Sequence, residues 1–314
     1  MGYDHSFDSP NQKDAVNMVQ AGKNHFESIT SEVLKSTGVA GVYARSGLFE
    51  QVIEGLARLI SRYREPSTEV LRFPPVMNRR MLEKSGYLQS FPHLLGCVSC
   101  LEGTESEIRA SVDKGDWIRE LSETELVLAP AACYPTYPLQ AARGVLPVEG
   151  KLFDVAAECF RHEATHELGR LQSFRMREYV CLGNPEQALD FRKRWVPRAE
   201  EIAQLLALPY SIAPASDPFF GRAGRLAALS QLEQSLKFEL LIPVISEAEP
   251  TACMSFNYHL DHFGSTWDLR TSAGEIGHTA CAAFGMDRLA LAIFATHGID
   301  SSAWPASVRE QLSI

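Results

Sequence analysis

Two histidines and a glutamate stand close together in the middle of the chain. Residues 162–169 read HEATHELG, which satisfies the H-E-x-x-H pattern of zinc proteases. On a helix, His162 and His166 would share one face and could bind zinc, with Glu163 as the general base. However, Gln172 occupies the position of the third ligand, and the preceding AAECFR has the pattern of a strand. A zinc protease is therefore one hypothesis, and a polar loop with two histidines is another.

The residues around this run suggest a different chemistry. Residues 158–163 read ECFRHE, and residues 170–179 read RLQSFRMREY. Two antiparallel strands joined by a loop can place an arginine, an aromatic ring and carboxylates on one face around a nucleotide. The two segments resemble motif 2 of class II aminoacyl-tRNA synthetases, in which one strand carries F-R-x-E and the return strand carries R-x-x-x-F-x-x-x-E.

Other segments extend this resemblance in the expected order. Residues 281–288 read CAAFGMDR and resemble motif 3. We expect them to form the beginning of an apolar helix. A helix, a strand and a proline pair at 48–75 resemble motif 1, the dimer-forming element. SGYLQSF at 85–91 and LVLAPAACYP at 126–135 resemble the matching parts of seryl-tRNA synthetases. Over residues 46–298, the three motifs together imply an α+β fold: a class II synthetase-like antiparallel sheet flanked by helices.

The hydrophobic pattern predicts the elements that must position these residues. Apolar residues at three- and four-residue spacing predict a helix from Leu48 to Tyr63, ended by Pro66. Asn184 as a cap and Pro185 at the first helical position predict a second helix that ends near residue 206. Consecutive strands without helix-length spacers favour an antiparallel sheet. Strands are predicted at Val70–Phe73, Leu94–Val98, Glu125–Leu128, Val155–Phe160, Arg175–Leu182, Phe238–Ile245 and Ala252–Phe256, and a closing helix at Phe284–His297.

The resemblance also implies a metal site. Methanogen-type seryl-tRNA synthetases hold zinc with Cys, Glu and Cys, and the matching positions here are Cys133, Glu178 and Cys281. One Zn²⁺ per subunit is thus implied, with a fourth position open to the neutral amino group of the substrate. These three residues and Ala132 would form the amino-acid site.

The same resemblance implies contacts to ATP. Arg161 should hold the α-phosphate and Arg288 the distal phosphates, because a planar guanidinium suits phosphate oxygens. These two arginines are the catalytic candidates. Glu163 should contact the adenine amino group, and Phe174 should stack on the ring. The remaining contacts to ATP and its Mg²⁺ are expected from Arg170, Leu171, Lys237, Glu249, Ala252, Cys253 and Ser255.

Composition and charge bear on the acceptor of the activated amino acid. The 314 residues are 45% hydrophobic and 22% charged, as in globular proteins, and the net charge is −9. Such a chain has no general attraction for phosphate backbones. Motif 1 begins near residue 48, which leaves no room for the N-terminal tRNA-binding domain of seryl enzymes, so tRNA is not the expected partner. No apolar run is long enough to span a membrane, and seven scattered cysteines favour a cytoplasmic location.

A synthetase core without a tRNA-binding domain resembles the amino acid:carrier-protein ligases. These are truncated seryl-synthetase homologues that load glycine or alanine on the phosphopantetheine thiol of a carrier protein. The resemblance implies an AMP-forming, homodimeric ligase with an acidic acyl or peptidyl carrier protein as its partner. Glycine is slightly favoured over alanine. Two alternatives remain: a seryl-like enzyme that acts on tRNA with a separate tRNA-binding subunit, and a non-catalytic regulatory paralogue.

A leucine-striped helix is expected near residues 222–237, between motifs 2 and 3. Arg222 and Arg225 near its start would complement the acidic helix of a carrier protein, so we predict a docking site there. The alternative is that its leucines simply cover the sheet.

Two units of very different size are expected along the chain. Residues 1–45 would form a polar, helical extension. Residues 46–314 would form the catalytic domain, with a helical insertion at about 184–237.

Overall fold

A large antiparallel sheet lies at the centre of the protein in the computed structural model, which describes residues 24, 26–163 and 169–314. The strands are β1 (Leu34–Val39), β2 (Val42–Arg45), β3 (Glu69–Arg72), β4 (Val76–Asn78), β5 (Cys97–Leu101), β6 (Leu121–Leu128), β7 (Lys151–Phe160), β8 (Ser173–Gly183), β9 (Ser211–Pro214), β10 (Lys237–Ile242), β11 (Thr251–Tyr258) and β12 (His278–Gly285). The helices are α1 (residues 26–33), α2 (Gly47–Ser61), α3 (Arg79–Lys84), α4 (Tyr87–Ser90), α5 (Glu105–Lys114), α6 (Thr136–Arg143), α7 (Pro185–Leu205), α8 (Gly221–Glu233), α9 (His262–Trp267), α10 (Met286–His297) and α11 (Ala306–Leu312).

Seven strands form the central sheet in the order β3-β7-β8-β12-β11-β10-β9. All neighbours are antiparallel except β3 and β7. Cys281 lies opposite Val180 on one side and opposite Asn257 on the other. Directly opposed residues of antiparallel strands share a face, as do residues two apart on one strand. The register therefore places Glu178, Cys281 and Asn257 on the same face of the sheet.

Helices α2, α7, α10 and α11 pack on the opposite face, where the main hydrophobic core lies. Helix α2 begins at Ser46, whose side chain accepts a hydrogen bond from the Phe49 N–H, and it buries a full apolar stripe. Helix α7 begins at Asn184, which forms a capping box with Gln187, and it buries Trp195 against the sheet. The predicted α+β architecture is thus observed, and one face of the sheet remains for a site.

Several element boundaries differ from the sequence predictions, and two of these differences have a clear physical cause. Residues 281–285 do not open a helix but complete β12, and α10 begins only at Met286. The alanines of this segment favour a helix in isolation, but their position between β8 and β11 makes them a central strand, and tertiary context overrides propensity. The strand predicted at Leu94–Val98 begins at Cys97, because Pro92–Leu94 forms a 3₁₀ turn.

The described part of the N-terminal extension is not purely helical. Helix α1 is followed by the hairpin β1–β2, and Phe26 and Val33 are buried in the main core. The hairpin also contacts motif 2, where the Gln172 side chain donates a hydrogen bond to the Ala40 carbonyl (2.7 Å). The division of the chain at residue 45 stays a prediction. Among the helices that the structure describes, none has the length and apolar character needed to cross a membrane.

Candidate active site

A cavity of about 550 Å³ opens on the face of the sheet that carries Glu178 and Cys281. Strands β8, β10, β11 and β12, helix α8 and the segment after β6 form its walls. Of the residues that the sequence predicted, it is lined by Cys133, Arg161, Glu163, Leu171, Phe174, Glu178, Lys237, Ala252, Cys253, Ser255, Cys281 and Arg288. Most of the predicted amino-acid and nucleotide residues thus surround one space.

The buried carboxylate of Glu178 joins β8 to the segment that follows β6. Its Oε1 accepts hydrogen bonds from the backbone N–H groups of Ala132 (2.7 Å) and Cys133 (3.1 Å). Ala132 is fully buried and takes part through its backbone rather than by lining the cavity. Burial, together with the charge of Cys281, raises the pKa of Glu178 to about 7.

The two cysteine thiols also contact each other. Cys133 donates a hydrogen bond to Cys281, which lowers the pKa of Cys281 well below its usual range and raises that of Cys133. Asn257 Nδ2 (3.3 Å) and His259 Nε2 (3.7 Å) lie against the same Cys281 sulfur. Sequence reasoning missed these two residues. Since Asn257 is the direct cross-strand partner of Cys281, only the strand register could have revealed it.

The cluster of Cys133, Glu178 and Cys281 has side chains of the types that bind zinc, but these side chains are not arranged around a common centre. Two thiols and a carboxylate are ligands that zinc accepts, and a lowered pKa at Cys281 favours the thiolate that binds metals. Within residues 26–163 and 169–314, however, no group of three or more His, Cys, Asp or Glu side chains is arranged to hold a metal ion. The cluster fits zinc by the chemistry of its donors, while its side chains are arranged to hydrogen bond with one another.

Backbone carbonyls fix the two arginines predicted to bind phosphate. Arg161 Nε donates to the Pro130 carbonyl (3.0 Å), and its guanidinium lies over the Phe174 ring at 5.5 Å. Arg288 donates from Nη1 to the Ala252 carbonyl (3.1 Å) and from Nε to the Gly169 carbonyl (3.3 Å). Burial lowers the pKa of Arg288, although a guanidinium stays charged.

The described beginning of the histidine-glutamate run, His162 and Glu163, lacks the helical backbone that a zinc protease requires. Residues 161–163 are not helical, and the His162 backbone N–H donates to the Leu94 carbonyl (3.0 Å). Glu163 lines the cavity and forms an ion pair with Arg170 at 3.3 Å, so Arg170 lies beside the cavity without lining it. His166 lies outside the described residues.

Two further predicted ATP contacts have unexpected surroundings. Lys237 Nζ donates to Asp217 Oδ1 (2.7 Å) and Glu239 Oε1 (2.8 Å). Burial alone would lower the pKa of Lys237, but these two carboxylates hold it above its ordinary value. Glu249 is exposed in the loop between β10 and β11 and does not line the cavity, so the structure does not bring it to the other predicted residues.

Helix α8 does not cover the sheet. Leu226 and Leu229 are 65% and 55% exposed, and Gly224 is the one buried residue within the described helix. Arg222 and Arg225 are exposed as well. The alternative in which the leucine stripe packs on the sheet is therefore wrong.

Comparison with solved structures identifies the fold. The M. kandleri seryl-tRNA synthetase, solved with A. aeolicus tRNASec, matches with a TM-score of 0.78 and 22% identity, over 92% of this chain and 60% of that one. The Giardia lamblia prolyl-tRNA synthetase, solved with prolyl-adenylate, matches with a TM-score of 0.65 and 16% identity, over 87% of this chain and 52% of that one. The chain has the fold of class II aminoacyl-tRNA synthetases, as predicted.

Sequence comparison narrows this class to one family. The amino acid–[acyl-carrier-protein] ligases 1 and 2 of Bradyrhizobium diazoefficiens are 57% and 56% identical to the chain. These matches cover 97% and 92% of the chain, and 94% and 87% of the two relatives. The protein therefore belongs to the amino acid–[acyl-carrier-protein] ligases, and the predicted ligase class is confirmed. The type-2 serine–tRNA ligase of Methanopyrus kandleri is more distant, at 29% identity over 63% of the chain and 40% of its own length. No family model matches the chain.

Proposed function

We propose that the protein activates a small amino acid, glycine or alanine, and transfers it to the phosphopantetheine thiol of a carrier protein. In the first step, a carboxylate oxygen of the amino acid attacks the α-phosphorus of Mg²⁺-bound ATP, and pyrophosphate leaves with the electrons of the broken P–O bond. In the second step, the carrier thiolate attacks the carbonyl carbon of the aminoacyl-adenylate. AMP leaves, and a thioester forms.

A single observation carries this proposal: one cavity is lined both by Arg161, Phe174 and Arg288 and by the cluster of Cys133, Glu178 and Cys281. The first set suits a nucleotide, because it combines two guanidinium groups with an aromatic ring. The second set suits a small polar molecule, because its two thiols and its carboxylate are buried and close together. A mixed anhydride of an amino acid and AMP would place one half of the molecule in each set.

Side chains would contribute mainly through position and charge. Arg161 would bind the α-phosphate and stabilise the charge that develops as the P–O bond breaks, and Arg288 would bind the distal phosphates. Glu163 and Phe174 would hold the adenine. Glu249 has the weakest support among the proposed ATP contacts, since it lies outside the cavity.

We further propose that Cys133, Glu178 and Cys281 hold one zinc ion per subunit. The chemistry of the donors supports this, and binding would require their side chains to turn from one another toward a common centre. A bound zinc would supply an open coordination position for the neutral amino group of the substrate. Asn257 would donate to the Cys281 sulfur and hold it in place.

The carrier protein would dock on α8. Arg222 and Arg225 complement an acidic partner, and the exposed Leu226 and Leu229 offer apolar area beside them. The names of the Bradyrhizobium relatives support a carrier as acceptor.

Homodimerisation through residues 48–75 is supported by their resemblance to motif 1. Seven free cysteines support a reducing compartment such as the cytoplasm.

Two linked assays test the proposal. Amino-acid-dependent exchange between ATP and labelled pyrophosphate reports adenylate formation, and transfer to a holo-carrier protein or to tRNA identifies the acceptor. We expect exchange with glycine or alanine and loading of the carrier alone. Loading of tRNA would favour the synthetase alternative, and a lack of exchange with any amino acid would favour the non-catalytic paralogue.

A further inference from the structure

Helix α8 has two faces with different surroundings. The cavity is lined by Ala227, Ser230 and Gln231 of the helix and by Gln234 at its C-cap, which recur every three or four residues. The other side of the helix faces solvent and carries Arg222, Arg225, Leu226 and Leu229. This reverses the usual arrangement, in which the apolar face of a surface helix packs inward. The same helix is thus a wall of the cavity and an exposed surface of the protein.

One side chain of α8 connects it to the catalytic sheet. Gln231 Oε1 accepts a hydrogen bond from the Asp217 backbone N–H (2.7 Å), and Gln231 Nε2 donates to Asp217 Oδ2 (2.9 Å). The other oxygen, Asp217 Oδ1, accepts from Lys237 Nζ on β10 (2.7 Å), which also pairs with Glu239. A continuous set of hydrogen bonds therefore runs from α8 to the cavity floor.

Few other hydrogen bonds hold α8 in place. Among the described residues, Gln231 is the one α8 residue whose side chain hydrogen bonds outside the helix and its C-cap. The segment before the helix is attached by the Phe220 backbone N–H, which donates to the Ser90 carbonyl (2.8 Å), and by the Phe219 ring, which stacks on Phe91 at 5.1 Å. The beginning of α8 is held by that segment, and its second half by Gln231.

We propose that Gln231 is a positioning residue that fixes α8 over the cavity, through Asp217 and Lys237, for the transfer step. This inference rests on the proposed function and deepens it. A carrier docked on the outer face of α8 must deliver its thiol to an adenylate on the inner side of the same helix. A shift of the helix would misplace the thiol, and errors of about 1 Å can lower a rate by up to about a hundredfold. Neither Gln231 nor Asp217 is among the proposed contacts to ATP or the amino acid. Lys237 keeps its ion pairs with Asp217 and Glu239 when Gln231 is replaced, so activation should continue without the Gln231 contact.

The test compares two glutamines one turn apart. Gln231→Met keeps the length and helix propensity of the side chain but removes both hydrogen bonds to Asp217. Gln234→Met is the matched control, because Gln234 also lines the cavity but bonds only to Ser230 (2.8 Å). The full chain, with zinc and Mg²⁺-ATP, is assayed for pyrophosphate exchange, for transfer to free pantetheine and for transfer to the holo-carrier.

We expect Gln231→Met to lower kcat for carrier loading by about tenfold with little change in KM. Exchange and transfer to free pantetheine should stay within about twofold of wild type, which also shows that the variant is folded. Equal carrier loading by Gln231→Met and wild type would overturn the inference and leave the proposed function intact. An equal loss of all three activities would also overturn it, since Gln231 would then support activation. A wild-type protein that loads no carrier would overturn the proposed function itself.

Discussion

Glu178 and Cys133, 45 residues apart, are joined by a hydrogen bond of 3.1 Å from the Cys133 backbone N–H to the Glu178 carboxylate. The same oxygen also accepts from Ala132, so one carboxylate of β8 fixes the segment that follows β6. The contact places a thiol, a carboxylate and the second thiol of Cys281 in one buried cluster. The proposed zinc site therefore depends on a long-range contact between β8 and this segment.

The first prediction concerns this cluster. Cys133→Ala and Cys281→Ala should each reduce bound zinc far below one per chain and abolish pyrophosphate exchange, because two donors rarely hold structural or catalytic zinc. Metal content is measured by elemental analysis after gel filtration. The control is His162→Ala combined with His166→Ala, which should keep its zinc. The reverse result, with zinc lost only from the histidine variant, would restore the protease hypothesis.

The second prediction concerns amino-acid selection. Ala131 and Ala283 line the cavity near the cysteine cluster, and neither side chain can pair with a hydroxyl. A serine hydroxyl left unpaired there would lose its hydrogen bonds to water. We therefore expect kcat/KM for exchange to be higher with glycine or alanine than with serine, with glycine slightly ahead. Serine as the best substrate would contradict this prediction.

The third prediction concerns Asp154, which lies on β7 and is fully buried. It accepts hydrogen bonds from Arg177 (2.6 and 2.9 Å), Arg64 (2.8 Å) and Arg72 (3.3 Å). Asp154→Asn should lower the free energy of unfolding by about 3–5 kcal/mol, because it leaves buried guanidinium charge without its partner. Glu158→Gln is the control on the same strand, since Glu158 is 42% exposed and its ion pairs are 3.8 and 3.9 Å long. The Glu158→Gln substitution should lower the free energy of unfolding by less than about 1 kcal/mol.

Asp154 should also give stability a pH dependence. Burial alone would raise the pKa of Asp154, but the arginines hold it below its ordinary value of 3.8. A carboxyl with a lowered pKa in the folded state contributes stability above its unfolded pKa and loses it as the pH falls through the folded value. Urea unfolding should show a steeper loss of stability below pH 3.8 for wild type than for Asp154→Asn. Parallel curves for the two proteins would contradict this assignment.

Local patterns predicted much of this fold, because α2 and α7 carry their own caps and apolar stripes. Local sequence could not predict that residues 281–285 form a strand, because the neighbouring strands β8 and β11 impose this conformation. The ATP and zinc residues came from the resemblance to class II motifs rather than from spacing. Asp217 and His259 were missed, because each acquires its role only through contacts that join distant parts of the chain.

The last prediction concerns the outer face of α8. Arg222→Glu combined with Arg225→Glu should leave pyrophosphate exchange nearly unchanged, because both side chains are exposed and neither lines the cavity. Carrier loading should fall several-fold through a higher KM, since reversed charge slows the approach of an acidic partner. The loss should be greater at low ionic strength, where charges are least screened.

A control for this variant keeps the change in net charge but moves it to another surface. Lys193 and Arg194 are exposed on α7, which packs on the opposite face of the sheet. Lys193→Glu combined with Arg194→Glu should therefore load the carrier at close to the wild-type rate at every salt concentration. If both double variants lose the same activity, the effect comes from net charge rather than from docking. If the α8 variant loads the carrier as fast as wild type at low ionic strength, α8 is not the docking surface, and the acceptor approaches the cavity from another side.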